Sequence, residues 1–525
     1  MPKGYLAILL HAHLPFVRHL QNEHPLEEKW LFEAMTECYI PLLQTFQRLT
    51  RDGVPFRVTL SLSPTLLSML VDPLLQERYD RHLTALFELA GLEVERTAHD
   101  PQLSQLARMY QENFRQALDF YENRYQGNLI KAFQELAEAG SLEIITTAAT
   151  HGYFPLLELS QAALRGQIEA AVTLFSQLFG AGPRGFWLPE CGYSPGNDKV
   201  LTDLGIEYTM LESHGLSNGK PRPRQGVYRP VRTPDGLTIV GRDKESSKQV
   251  WSSKEGYPGD YDYREFYRDI GYDLEWEYVR GFLPGVRTHL GLKYYRITGK
   301  TNEKEYYRPD WARAKAALHA GNFMFNREKQ VEYLSSMMDE PPIILAPYDA
   351  ELFGHWWYEG PLWLEYLLRK MAYDQDVIKT ITPGEYIVKY PPQEVVTPSL
   401  SSWGHQGYSE VWLNGANDWV YRHLHKAAER MIELARANPG AEGSRRRGLN
   451  QAARELLLAQ SSDWPFIMYT GTVVDYAKSR FLEHISRFTF LYEGLTQGEV
   501  PEEDLKRMEE EDNLFPGLDY SIYAQ

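Results

Sequence analysis

The sequence predicts an α/β fold built on a parallel sheet, open or closed into a barrel, and followed by a C-terminal helical domain. Short apolar runs rich in β-branched residues recur through the first two thirds of the chain, at Leu6 to Leu10, Arg57 to Leu60, Leu142 to Thr147, Gly185 to Leu188 and Ile343 to Ala346. Helical patterns separate them, and strands that alternate with helices imply parallel pairing. Beyond Pro391-Pro392 the strand signal fades. Helical periodicity takes over in Asp418 to Ala437, Arg447 to Gln460 and Thr472 to Leu495.

The first run follows a single lysine, is interrupted at once by two histidines and precedes no small-residue cleavage site, so it reads as a buried strand and not as a signal peptide. His11-Ala12-His13 places both imidazoles on one face, because strand side chains alternate. Such a pair can hydrogen-bond a substrate or chelate a metal; a zinc site needs a further ligand, for which His151, beside Gly152 at the third strand's end, is the candidate. The fourth run enters Trp187-Leu188-Pro189-Glu190-Cys191-Gly192-Tyr193, a Pro-kinked loop with a carboxylate between aromatic residues. Glu190 reads either as an ion-pair partner or as a nucleophile kept ionised beside a sugar.

From Cys191 to about Asp243 the Gly-, Pro- and Arg-rich stretch reads as loops and a hairpin, expected to form a small lid-like insert. The last run leads to Asp349 in Tyr348-Asp349-Ala350-Glu351-Leu352-Phe353-Gly354-His355-Trp356-Trp357. Asp349 is placed to cap a helix, with Glu351 favouring its dipole, and equally to donate a proton in catalysis. The expected division is residues 1–190 with 244–395 for the barrel, 191–243 for the insert and 396–525 for the helical domain. The acidic stretch Glu499 to Asp512 is expected as a surface helix or a loosely held tail.

All these polar residues stand at the C-terminal ends of strands, the edge on which parallel α/β folds assemble their sites. Two carboxylates at two strand ends match the needs of glycosidic cleavage, in which one attacks the anomeric carbon and the other protonates the leaving oxygen. Composition narrows the partners. With 55 Lys+Arg against 71 Asp+Glu, the net charge of −16 repels phosphate backbones and anionic membranes, so neither nucleic acid nor a membrane is expected. Arg445-Arg446-Arg447 reads as a solvated helix face. No stretch approaches the roughly 20 apolar residues that cross a bilayer, and Cys38 and Cys191 are too few for a disulfide framework; both point to the cytoplasm. The 12 Trp, 34 Tyr and 22 Phe cluster in loops, where flat rings suit sugars as well as ordinary packing.

Taken in order, His11-Ala12-His13-Leu14-Pro15, His151-Gly152, Trp187 to Tyr193 and Tyr348 to Trp357 resemble the successive signature segments of glycoside hydrolase family 57. Ser402-Trp403-Gly404 through Trp412, with Ser461-Ser462-Asp463-Trp464 beyond, resembles the helical domain of that family's 1,4-α-glucan branching enzymes. The resemblance implies a seven-stranded, incomplete TIM-like (β/α) barrel with a small inserted domain and a C-terminal helical domain. It implies a retaining double displacement, without metal or other cofactor, that cleaves α-1,4 bonds of amylose, amylopectin or glycogen and passes the chain to a 6-hydroxyl. By position, Glu190 matches the nucleophile and Asp349 the general acid/base. His11, His13 and His151 match sugar-contacting histidines, Asp463 a carboxylate lent by the helical domain, and Trp30, Trp276, Trp403 and Trp412 the tryptophans of the glucan groove. A monomer is expected.

One departure stands out. Branching enzymes of the family are similar in carrying a mobile loop with a tip tyrosine just before a Gly-Tyr-Pro-Gly-Asp stretch; here Gly256 to Asp260 is present, but Arg242 to Trp251 contains no tyrosine. That keeps an α-amylase or 4-α-glucanotransferase on the same scaffold as the nearest alternative. A metal-dependent deacetylase or mannosidase using His11 and His13, and an inactive glucan-binding protein, are the alternatives of other classes.

Overall fold

A computed structural model of the chain describes residues 2–23, 25–252 and 255–525. Its strands are β1 (Gly4–Ala12), β2 (Val58–Leu62), β3 (Leu142–Thr147), β4 (Gly185–Trp187), β5 (Tyr208–Leu211), β6 (Val231–Arg232), β7 (Thr238–Gly241), β8 (Ile343–Asp349) and β9 (Ile378–Thr380). They form one sheet in the order β6-β7-β5-β4-β3-β2-β1-β8, with β9 beside β1. Every pairing is parallel except that of β6 with β7. The seven parallel strands from β7 round to β8 form the barrel wall. Its two edges approach each other: the Asp243 N–H donates to the Leu345 carbonyl at 2.9 Å, just past the end of β7.

β1 is the organising strand. Buried along its whole length, it has the near-continuous apolar sequence of a parallel strand covered on both faces. Leu6, Ile8, Leu10 and Ala12 pack outward in the large cluster beneath the helices. Tyr5, Ala7 and Leu9 point inward with Ile145, Trp187, Tyr208, Met210, Val240 and Leu345, filling the barrel. The same period of two carries His11 and His13 onto the inner face above this plug.

The segment 191–243, expected as a separate insert, supplies β5 and β7 to the wall and the short β6 to its edge. Its hairpin was legible, but β5 and β7 are four residues each and end in loops rich in Gly and Pro, which masked their place in the sheet. The stretch Arg242 to Trp251, expected as a loop, is mostly the helix Lys244–Trp251, capped by the Asp243 carboxylate on the Ser246 N–H at 2.7 Å.

The C-terminal domain contains the helices Trp419–Ala437, Gly443–Ala459, Asp463–Thr470, Val474–Gln497 and Glu502–Glu511. The acidic end is no loose tail. Leu505 and Met508 are buried, and Asp512 lies fully buried against Arg480 and Arg487, next to the buried pair His484 and Glu455. Arg445 to Arg447, expected to be merely solvated, reach across to this end: Arg446 pairs with Asp519, and Arg447 with Glu502 and Glu509. Among the described residues no helix is long and apolar enough to cross a membrane.

Because Leu9 sits at the centre of the barrel plug with no exposed surface, Leu9→Ala should destabilise the barrel by about 3 kcal/mol through lost burial plus the residual cavity. A lowered midpoint in urea, followed by barrel tryptophan fluorescence, is the expected result. An unchanged midpoint would mean that the interior is not close-packed there.

Candidate active site

The barrel mouth is a pocket of about 580 Å³ that brings together His11, His13, His151, Glu190, Asp349, Trp403, Trp412 and Asp463 from six separate segments of the sequence. His11 and Asp349 are register partners on the adjacent parallel strands β1 and β8, so both side chains face inward at one level. Asp349 precedes a short turn, Ala350–Leu352, and its side chain caps no backbone N–H there, which sets aside the capping role.

Glu190 is held by unusual backbone. Glu190 and Cys191 both occupy the left-handed region, at φ +59° and +50°, a conformation that costs non-glycine residues about 1–3 kcal/mol each and persists only where the surroundings enforce it. Trp403 supplies part of the enforcement. Its backbone N–H donates to the Glu190 carbonyl at 2.9 Å, and its indole Nε1 donates to the Glu190 carboxylate at 2.6 Å. Among the described residues no lysine or arginine pairs with Glu190, and the base beside it is His151, whose Nδ1 lies 3.8 Å from Oε1. Glu190 is therefore not the conventional ion-pair partner that its position alone allowed.

The histidines form a stack. The rings of His13 and His151 lie 4.0 Å apart, and those of His11 and His151 5.1 Å, with His11 also stacked 5.2 Å from Trp187. His11 Nε2 meets His151 Nε2 at 3.0 Å, a contact in which one ring must donate and the other accept. Ser61 and Ser462 hold the opposite nitrogens, at 3.1 and 2.9 Å. Burial, and then the charge of His13, press the His11 pKa well below the ordinary value, and burial with both neighbours does the same for His151. His13 is the exception. Burial disfavours its charge too, but Asp463, bonded through both oxygens at 3.1 and 3.0 Å, raises the pKa, with Glu351 and Glu190 assisting. Within the triad a proton goes first to His13, whose affinity is raised while those of His11 and His151 are pressed down.

The carboxyls divide in the same way. Asp463 feels the same burial penalty, yet His13 brings its pKa below the usual range, so it stays ionised. Burial lifts Glu190 to about 7 in spite of the Trp403 hydrogen bond, with Asp463 adding to the rise and His13 opposing it. Asp349 too is driven well above its ordinary value, by burial and then by the charges of Glu351 and Glu190, with Arg242 opposing. Two carboxyls with raised proton affinity in one pocket can share a proton, one serving as donor and the other as anionic partner.

Of the four sequence-selected tryptophans, Trp403 lines the pocket half-buried, while Trp412 reaches it as a buried ring stacked 4.4 Å from Tyr153. Trp30 and Trp276 lie outside its lining, Trp30 against Tyr476 and Trp276 beneath the Arg287 guanidinium. The pocket also takes Arg242, Trp251, Glu351, Trp356 and Phe466, none of them a candidate from sequence. Arg242 was recoverable. It stands at the end of β7 and was passed over because 191–243 was read as an insert. Glu351 accepts hydrogen bonds from the Tyr39 hydroxyl and the His13 N–H, joining the Asp349 turn to β1. Gly354, at φ +108°, is the residue this turn requires: a Cβ there would stand 1.8 Å from the Glu37 carbonyl oxygen.

Comparison with known proteins bears on this site. Residues 7–399 match the profile of glycosyl hydrolase family 57, and residues 423–523 that of the 1,4-α-glucan branching enzyme C-terminal region. A 1,4-α-glucan branching enzyme of Thermococcus kodakarensis is 33% identical over 98% of this chain and 77% of its own length. The structure of a family 57 branching enzyme from Pyrococcus horikoshii superposes with a TM-score of 0.89 at 34% identity, covering 100% of this chain and 97% of that one. The α-amylase AmyC of Thermotoga maritima superposes with a TM-score of 0.94 at 43% identity, covering 100% and 99%.

The raised Glu190 carboxyl has a consequence for stability. With a folded pKa of about 7 against an ordinary 4.5, the native state holds the proton more tightly than the unfolded chain. The corresponding stability is complete below about pH 4.5 and is lost as the pH rises through about 7. Glu190→Gln removes that loss. Its melting temperature relative to wild type should climb between about pH 4.5 and 8, by the equivalent of about 3 kcal/mol at most. A difference that does not change with pH would mean that Glu190 titrates as an ordinary carboxyl.

Proposed function

We infer the function from one premise: the chain belongs to glycosyl hydrolase family 57. The protein is a glycoside hydrolase-type enzyme acting on α-glucans, and its activity is that of a 1,4-α-glucan branching enzyme. The observation that carries this reading is the pair Glu190 and Asp349, together in one pocket and both raised in proton affinity by burial, joined to a branching-enzyme C-terminal region that reaches the same pocket through Asp463.

In this reading Glu190 attacks C1 of a glucosyl residue and forms the covalent ester, while Asp349, whose proton affinity burial raises, passes a proton to the departing O4. The ionised Asp349 then takes the proton from the 6-hydroxyl of an acceptor glucan as that oxygen attacks C1, releasing Glu190 and leaving an α-1,6 link. The Trp403 indole favours the anionic form of Glu190 before attack and steadies it as the leaving carboxylate afterwards. His11 and His151 bond each other and Ser61 and Ser462 through both ring nitrogens and so shape the wall of the sugar site, with the hydrogen-bonded His13–Asp463 pair beside it. Trp403, Trp412, Trp356 and Phe466 give the glucan apolar faces to rest on. Cytoplasmic residence fits the buried free thiols of Cys38 and Cys191.

A second reading, α-amylase activity on the same scaffold, is favoured by the likeness to AmyC and by the absence of a tyrosine from the helix Lys244–Trp251, whose last residue, Trp251, faces the pocket. The two readings differ in what reaches the ester first, a hydroxyl of glucan or water. Amylose treated with wild type, Glu190→Gln and Asp349→Asn, followed by iodine staining, reducing ends and proton NMR of α-1,6 links, separates them. Branching predicts α-1,6 signals from wild type and a loss of about 10²- to 10⁴-fold in both variants. Reducing ends without branches would assign hydrolysis, and active variants would overturn the two residue roles.

A further inference from the structure

A second cavity, of about 320 Å³, shares no lining residue with the barrel mouth. It opens between the helices Ile40–Arg51 and Pro101–Leu118 and the segment around Tyr358. Its floor is a set of rings: Tyr110 lies 6.4 Å from Tyr358 and 6.2 Å from Phe114, and Tyr307 meets Tyr358 edge-on at 6.1 Å. The Arg264 guanidinium lies flat over Tyr358 at 4.1 Å, and Asn113 donates to the Tyr358 hydroxyl at 2.8 Å. Through Gln44, Arg48 and Gln116 the cavity runs into a shallower depression of about 410 Å³ that adds Gln47 and Arg51. The result is an elongated groove, aromatic at one end and lined by amides along its length.

We propose that this groove binds a linear segment of α-glucan, as an anchoring site distinct from the catalytic pocket; the inference rests on the reading of α-glucan as substrate. Its charges argue for a neutral polyol. Arg48 is bonded to Glu365 at 2.7 Å, Arg115 to Glu112 at 2.6 Å, Arg51 to Asp52 at 3.3 Å, and Glu37 to His355 at 2.7 Å. Cations held by carboxylates leave amide groups and the free edges of guanidinium groups to bond hydroxyls, beside an aromatic floor. Among the described residues, Arg264, over Tyr358, and Arg313, at the rim, are the lining cations with no ion pair to a carboxylate, and they make an anion the competing occupant. An anchor of this kind raises the effective concentration of a long chain at the barrel mouth without touching the reacting bond.

The test is calorimetric titration of the full-length Glu190→Gln protein with maltoheptaose. Two sites are expected. Gln44→Ala with Gln116→Ala, both at the accessible rim, should remove one of them, and Trp403→Ala the other. In the otherwise wild-type chain the double rim variant should raise the KM for amylose about threefold or more while leaving turnover of maltoheptaose unchanged. A single site that Trp403→Ala abolishes overturns the groove and leaves the substrate reading intact; no binding at all overturns both. A groove that takes up inorganic phosphate in place of maltoheptaose overturns the proposal in favour of an anion site.

Discussion

Four carboxyl groups, Glu190, Asp349, Glu351 and Asp463, are drawn out of water at the top of an apolar barrel, and most of the local architecture answers that cost. An isolated ion in such surroundings would neutralise itself or unfold its neighbourhood. The chain offers three distinct remedies. Asp463 keeps its charge because His13 supplies a counter-ion through two hydrogen bonds. Glu190 receives the Trp403 indole and stays poised near neutrality. For Asp349 the pull of Arg242 does not offset burial and the neighbouring charges, and its proton affinity rises well above the ordinary value. Differences in compensation, not in residue type, shift these acids of one pocket in different directions.

The helical domain follows from the same requirement. Asp463 and Ser462 come from it and reach two histidines of the barrel, while Ser461 forms an antiparallel bridge with Gly152. Gln460 accepts from Gln167 at 3.0 Å behind this contact. Asp463 is the largest of the charges that favour the proton on His13, with Glu351 and Glu190 adding to it, so the docked helical domain supports the charged form. This ties the electrostatics of the mouth to a domain far along the chain from β1.

The sequence was most legible where one periodicity settled the answer. Alternation along β1 placed His11 and His13 inward, and strand-end position gathered Glu190, Asp349 and His151 around one mouth. It was least legible where tertiary closure overrides local signal. β5 and β7 are too short, and too deep in loop-like composition, to be told from a hairpin insert, and with them went Arg242. Asp349 carried a sound capping signal that the fold does not use, because the turn after it runs only to Leu352 before the backbone becomes extended. The tryptophans divide for a similar reason: type and loop context do not say which ring turns outward, and Trp412 spends its face on Tyr153.

In the proposed mechanism a hydroxyl and water would meet the same ester beside the same two carboxyls, so the choice between them would fall to the rim. The rim here is asymmetric. Trp356, about half exposed and stacked 4.4 Å from Phe266, and Trp251 stand on the barrel side; Phe466 faces them from the helical domain. Rings on both banks favour an acceptor that can lie across them, because each buried sugar face displaces water from the neighbourhood of the ester. Trp251 ends a helix that Asp243 caps and that sits directly after the bridge closing the barrel. Its position is therefore coupled to barrel closure through Arg242 and Asp243.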